Sequence, residues 1–342
     1  MLENWLKGVP FKNEDFKSHQ LGHSIRFHNE RLPDLQRVKV VLIGTDDMEA
    51  NAARQALYQL ADHFPRTTIA DLGNIRKKEV SFLIPVLKEL ITKKRSIILL
   101  GKSLDWRKAQ QQAHRQLFGR EQHWLSIDDR VRTDTSDRFG QRIIVGGQRH
   151  LTKRSDLQKM ERKKWWYHSL GSCRSELKAV EPSIRDAHFG SVHLAALKDL
   201  EVPGQLNASP SGFFLEEACQ LMYYAGMNEQ LLSMGLYGWQ AKKKDTRSPQ
   251  ALAQLIWYFM EGVAQRKGDY PLSKASLGEY IVHLKDQDIQ VTFWKSYKSG
   301  RWWLQLPTAT ERNHLIPCSY EDYQLAGRGE VSDRVMQILA RY

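Results

Sequence analysis

The chain has 342 residues, 41% hydrophobic and 26% charged, an ordinary balance for a globular protein with a sizeable core. That length allows one large α/β domain or two smaller ones, and no apolar run reaches the ~18 residues a membrane-spanning helix needs. A net charge of +12 and a pI near 9.5 make a nucleic-acid partner a class to weigh.

Met1–Gln20 shows no apolar core followed by a small-residue cleavage site, so a secretory signal is not expected. Residues 1–37 read as an N-terminal lead-in. Val38–Gly44 reads as a buried strand, and Met48–Phe64 as the helix after it. Thr67–Gly73 is a second strand. Glu79–Lys94 follows as a helix, with Leu83, Val86, Leu87 and Leu90 at helical spacing. Ser96–Gly101, His123–Asp128 and Arg142–Gly147 are further strands. Apolar strands separated by helices predict a three-layer α/β/α domain with a mainly parallel sheet over 38–240. Function in such sheets gathers at the carboxyl ends of the strands, where Gly101–Trp106 and Asp128–Arg132 fall. Arg149–Lys164 carries seven Lys/Arg against two acids and runs into Trp165, Trp166 and Tyr167. A solvated helix face with its aromatic end in the core accounts for this stretch, with nucleic-acid binding as the competing reading. Cys173, Cys219 and Cys318 lie far apart in no disulfide or metal spacing, which fits a reducing cytoplasm.

After Ala241 the texture changes. Ala241–Pro249 is a charged break, Ala251–Gln265 an apolar helix, and Val291–Pro307 an aromatic hairpin turning at Ser299-Gly300. His314–Tyr342 reads as a closing helix. These residues, 241–342, form a C-terminal extension expected to pack on the domain. Trp294, Trp302 and Trp303 put apolar bulk on both faces of the hairpin. They are candidate anchors for a protein partner or self-association, or they complete the core.

Asp128, Arg130 and Arg132 stand at i, i+2 and i+4, which an extended strand places on one face. Ser191–Trp239 combines a Ser-Val-His-Leu-Ala strand, a Pro-Gly loop, a Pro-Ser-Gly turn, a helix and a further strand. In segment order and spacing, this region resembles the ureohydrolases: arginases, agmatinases and formimidoylglutamases. The C-terminal FWKS, GRWW and LIPCSYEDYQLA stretches resemble a bacterial formimidoylglutamase-like branch with a long extension. The resemblance implies two manganese ions held by two histidines and four aspartates around a water that attacks a guanidinium or formimidoyl carbon. Carried over position by position, those six ligands fall at Leu104, Asp128, Arg130, Arg132, His193 and Ala195, and the substrate-binding Glu at Gly238. Asp128 alone keeps its identity. His193 is an exchanged ligand or a hydrogen-bonded core residue. Guanidiniums offer a cation no lone pair, so Arg130 and Arg132 need solvent, a second carboxylate or a bound anion in the cleft.

Two short matches are out of order for that family. Asp186-Ala187-His188-Phe189-Gly190 lies just before the Ser-Val-His strand, and Gly146-Gly147-Gln148-Arg149-His150 comes after the Asp128 strand, so a strand-end turn explains it better. The expected function is a catalytically inactive ureohydrolase-like protein, a pseudoenzyme binding or scaffolding in the cytoplasm with no cofactor. The alternatives are a divergent hydrolase of a guanidino or formimino C–N bond, with any manganese on Asp128 and His193, and a basic nucleic-acid-binding protein.

Overall fold

The computed structural model describes residues 2–119, 122–133, 141–270, 274–284, 289–305 and 315–339. Its centre is a ten-stranded sheet: β1 (Leu6–Lys7), β2 (Arg26–Phe27), β3 (Val38–Gly44), β4 (Thr68–Ile75), β5 (Ser96–Leu100), β6 (Trp124–Ile127), β7 (Arg142–Gly147), β8 (Trp166–Ser169), β9 (Phe189–His193) and β10 (Ser233–Tyr237). The order is β1-β4-β3-β5-β10-β9-β6-β7-β8, with β2 also on β4. Only the β1–β4 pairing is antiparallel. The expected mainly parallel α/β/α sheet is what forms. The first 37 residues do more than lead in, since they supply β1 and β2.

Alternation along the strands separates the two faces. In β3, Val40 and Leu42 join the core under helices Asp47–Tyr58, Leu215–Met227 and Arg247–Ala264. Val41 and Ile43 join the core under helices Val80–Thr92 and Arg107–Phe118, with Leu83, Val86, Leu87 and Leu90 pointing inward as their spacing requires. Gly119, at φ +82°, ends the second of these helices in a backbone conformation that glycine adopts readily. Helix Arg247–Ala264, beyond residue 240, packs on the α/β layer. No helix among the described residues is long and apolar enough to cross a membrane.

The C-terminal part forms a second, antiparallel sheet, β11 (Leu277–Leu284), β12 (Ile289–Ser296), β13 (Trp302–Gln305) and β14 (Leu315–Cys318). The predicted hairpin is β12–β13. The expected closing helix is instead strand β14 followed by helices Tyr320–Gly327 and Asp333–Leu339. Pro317 is tolerated there because β14 lies at the sheet edge. The stretch 306–314 lies outside the described residues.

Both faces of β13 are covered by the chain itself. Trp302, 5% exposed, joins the main core with Phe293, Leu304 and Tyr323. Trp303 and Trp294 form a small cluster with Leu277 and Leu315, capped by the Arg185 guanidinium and the Lys274 ammonium over their rings. The reading of these three tryptophans as interface anchors is therefore corrected: their surface is already buried internally. The Arg185 Nη1 and Nη2 groups donate to the Trp302 and Cys318 carbonyls at 3.2 and 2.9 Å, fastening the second sheet to the first domain. Trp302→Ala and Trp303→Ala should each lower unfolding free energy by ~3–5 kcal/mol. Tyr297→Ala, at a position 74% exposed, should stay within ~0.5 kcal/mol. Urea denaturation checks this, and unchanged stability in both tryptophan variants would return those rings to the surface.

Candidate functional site

The chain lays β7 and β8 on one side of β6, then returns to place β9 on the other. Such a reversal opens a crevice at the carboxyl ends of the strands. Asp128 follows β6, its N–H donating to the Val145 carbonyl at 3.0 Å, and His193 ends β9. β6 stops at Ile127 and the chain bends at Asp129 and Arg130. The expected i, i+2, i+4 alternation therefore ends at Asp128. Asp129, which strand periodicity places on the opposite face, joins Asp128 inside.

Arg130 folds back on its neighbour. Its Nε and Nη2 donate to Asp129 Oδ2 at 2.9 and 2.5 Å. Arg132 spans both acids, Nε donating to Asp128 Oδ2 and Oδ1 at 3.0 and 3.2 Å and Nη2 to Asp129 Oδ1 at 2.7 Å. All four carboxylate oxygens thus accept from a guanidinium, and the four charges cancel. The second carboxylate that the arginines require is Asp129. Burial, followed by contact with Arg130 in the opposite sense and with Asp128 in the same sense, leaves Asp129 with a raised pKa. The loop is pinned by Gln148 N–H on the Asp129 carbonyl at 2.8 Å, Val131 N–H on Thr152 Oγ1 at 3.2 Å, and the Arg142 guanidinium on the Arg132 carbonyl.

His193 is 2% exposed. Its Nδ1 accepts the Ala195 N–H at 3.3 Å and lies 3.8 Å from Asp128 Oδ1. Burial first, then the Arg132 charge, lowers its pKa to about 3, so the ring is neutral, with Nδ1 accepting and the proton on Nε2. Ala195 is fully buried in the turn Leu194–Ala196. Leu104, after β5, and Gly238, after β10, meet His193 in a cleft of ≈ 290 Å³ that Asp46, Lys102 and Asn207 also line. Asp46 was not among the expected residues. Its Oδ2 accepts from Lys102 N–H at 2.9 Å and Trp106 Nε1–H at 3.1 Å. Gly238 has φ +90°, and a Cβ there would sit 2.6 Å from the His193 ring. The imidazole fills the space a side chain at 238 would need.

Asp128, Asp129 and His193 each offer a ligand atom, all within 4.8 Å of one another. Three protein ligands plus an open position would suffice by number for one ion. Guanidinium charge competes for the same acids: an ion binding one oxygen of each carboxylate would meet Arg130 and Arg132 already paired there.

The remaining sequence features lie elsewhere. Asp186 and His188 precede β9, at the opposite end of the sheet, where Asp186 pairs with His123 at 2.9 Å and His188 Nδ1 accepts the His123 N–H at 3.0 Å. Gly146-Gly147 ends β7, and His150 is exposed. Trp166 is 4% exposed, and Trp165 and Tyr167 are half-buried, with the Arg142 guanidinium over the Trp165 ring, so the aromatic end of the basic stretch packs largely inward. All three cysteines are free and buried.

No protein-family model matches this chain, and no curated protein matches its sequence. Solved structures do. The formiminoglutamase of Trypanosoma cruzi, in its oxidised form with Mn2+, aligns with TM-score 0.62 at 16% identity over 68% of this chain and 95% of its own. The formimidoylglutamase of Bacillus subtilis aligns with TM-score 0.61 at 16% identity over 75% and 95%. The arginase of Bacillus subtilis aligns at 0.54 and 11% over 65% and 98%. The chain carries the ureohydrolase fold. Within that fold, the strand ends that bring Asp128, His193, Leu104 and Gly238 together are those the sequence resemblance singles out.

His114, His168 and His193 are held neutral, at about 3, 4 and 3, in each case chiefly by burial. Below ~6.5 the unfolded chain takes up protons that the folded chain refuses, so stability falls as pH drops toward the folded values, by up to ~1.4 kcal/mol per histidine per pH unit. Asp129, raised, works in the opposite sense. Urea midpoints should therefore fall between about pH 7 and pH 5, and His168→Gln should flatten the fall; a flat profile in the parent protein would refute the buried neutral histidines. Gly238→Ala should cost ~1–3 kcal/mol, from the positive φ and the His193 contact. A combined Gly238→Ala, His193→Gly protein should recover part of that loss.

Proposed function

We propose that this protein acts by binding and not by hydrolysis: a ureohydrolase-fold pseudoenzyme working as a binding or scaffold component in the cytoplasm, with a protein partner or a second copy of itself. The observation that carries this reading is the closed charge cluster, in which Arg130 and Arg132 donate to all four oxygens of Asp128 and Asp129. A neutral His193 and a glycine at 238 remove two further groups that the resemblance assigns to the chemistry. Asp46, Lys102, Ser103 and Asn207 still line the cleft, so it can recognise a small polar molecule.

The alternative is a divergent hydrolase of a guanidino or formimino C–N bond using one divalent ion or none. The proximity of Asp128, Asp129 and His193 favours it. One experiment separates the two. Protein produced in manganese-rich medium and dialysed should carry well under one metal ion per chain by elemental analysis. It should release neither urea from arginine or agmatine nor formamide from formimidoylglutamate. Near-stoichiometric metal together with product from any of these substrates would establish the hydrolase.

A further inference from the structure

We infer that Arg130 and Arg132 are tethered cations that keep divalent ions out of a ligand set otherwise able to hold one. This rests on the binding-only reading above and deepens it by stating what closes the site. Three donors of types suited to a divalent ion converge within 4.8 Å: two carboxylates, 1% and 0% exposed, and an imidazole with 2% exposure. Loss of ligands is therefore an incomplete reason for metal exclusion. What stands in the way is positive charge supplied from the same segment, one to four residues along the chain.

The geometry suits occlusion. Arg132 reaches across both acids, so one side chain blocks both, and Arg130 takes the remaining oxygen. Both guanidiniums are covalently tethered, so they compete with a dissolved ion at high effective concentration. A guanidinium also keeps its charge across the accessible pH range, so the block has no titration point at which it opens.

The test uses the full chain and the metals alone, Mn2+ and Zn2+, read by equilibrium dialysis and by thermal midpoint. The parent protein should show no uptake and no shift. Arg130→Ser combined with Arg132→Ser should take up about one ion per chain, with a midpoint raised by ~5 °C at saturating metal. Asp129→Asn added to that pair should abolish the uptake. Arg132→Lys, which keeps a charge, should remain unresponsive. Equal uptake by the parent and the double variant would overturn the inference, as would a double variant with native circular dichroism that binds neither metal. Should the double variant be unfolded without metal, refolding on addition of Mn2+ or Zn2+ is expected, and failure to refold also counts against it. Urea or formamide released by the parent protein would defeat the binding-only reading whatever the variants do.

Discussion

Two adjacent carboxylates buried at a strand end need cations of their own, and the surroundings of Asp128 and Asp129 are organised around that need. An unpaired buried carboxylate costs several kcal/mol, so each acid constrains where a guanidinium must lie. Here the cations come from the next residues of the same loop. The bend after Ile127 turns Asp129 inward, Arg132 spans the pair, and Arg142 and Thr152 hold the loop in place. The neutrality of His193 follows in part, since a protonated imidazole would meet the Arg132 charge as well as the loss of solvent.

The second sheet is held by a different use of the same group. Arg185, 6% exposed, is balanced by Glu181 at 3.2 Å and donates to backbone carbonyls of β13 and β14. Backbone acceptors are present whatever side chains those strands carry, so the attachment depends on the path of the chain more than on its sequence. With Phe293, Trp302 and Leu304 in the same core as Leu125 and Val192, the two sheets share one apolar interior.

Most of the central sheet was legible because its strands are continuous apolar runs and its helices carry a clear spacing, as in Val38–Gly44 and Leu83–Leu90. β1 and β2 were not, since two-residue strands have no periodicity to read, nor was β8, because Trp166 and Tyr167 read as the aromatic end of a basic helix face. β14 hides inside a segment that reads as one helix, although Pro317 lies within it. At the site, the sequence order located Asp128, His193, Leu104 and Gly238, which the fold brings to neighbouring strand ends. Asp129 was missed because period-two reasoning extends a strand past its last residue. The signal was present in the two consecutive acids followed by arginines, a spacing at which a single turn of chain closes ion pairs. Asp46, distant in sequence, had no motif to reveal it.

The contact between His193 and Gly238 constrains the order in which this site could change. The imidazole occupies the volume where a Cβ at 238 would stand, and the glycine leaves room for the imidazole. Either position can be altered cheaply only after the other has moved. A large side chain at 238 is obstructed while His193 remains, and replacing His193 alone leaves a void beside a backbone at φ +90°. The two positions are epistatic: a path to a larger side chain at 238 passes through a less stable intermediate, independently of the arginines that close the charge cluster nearby.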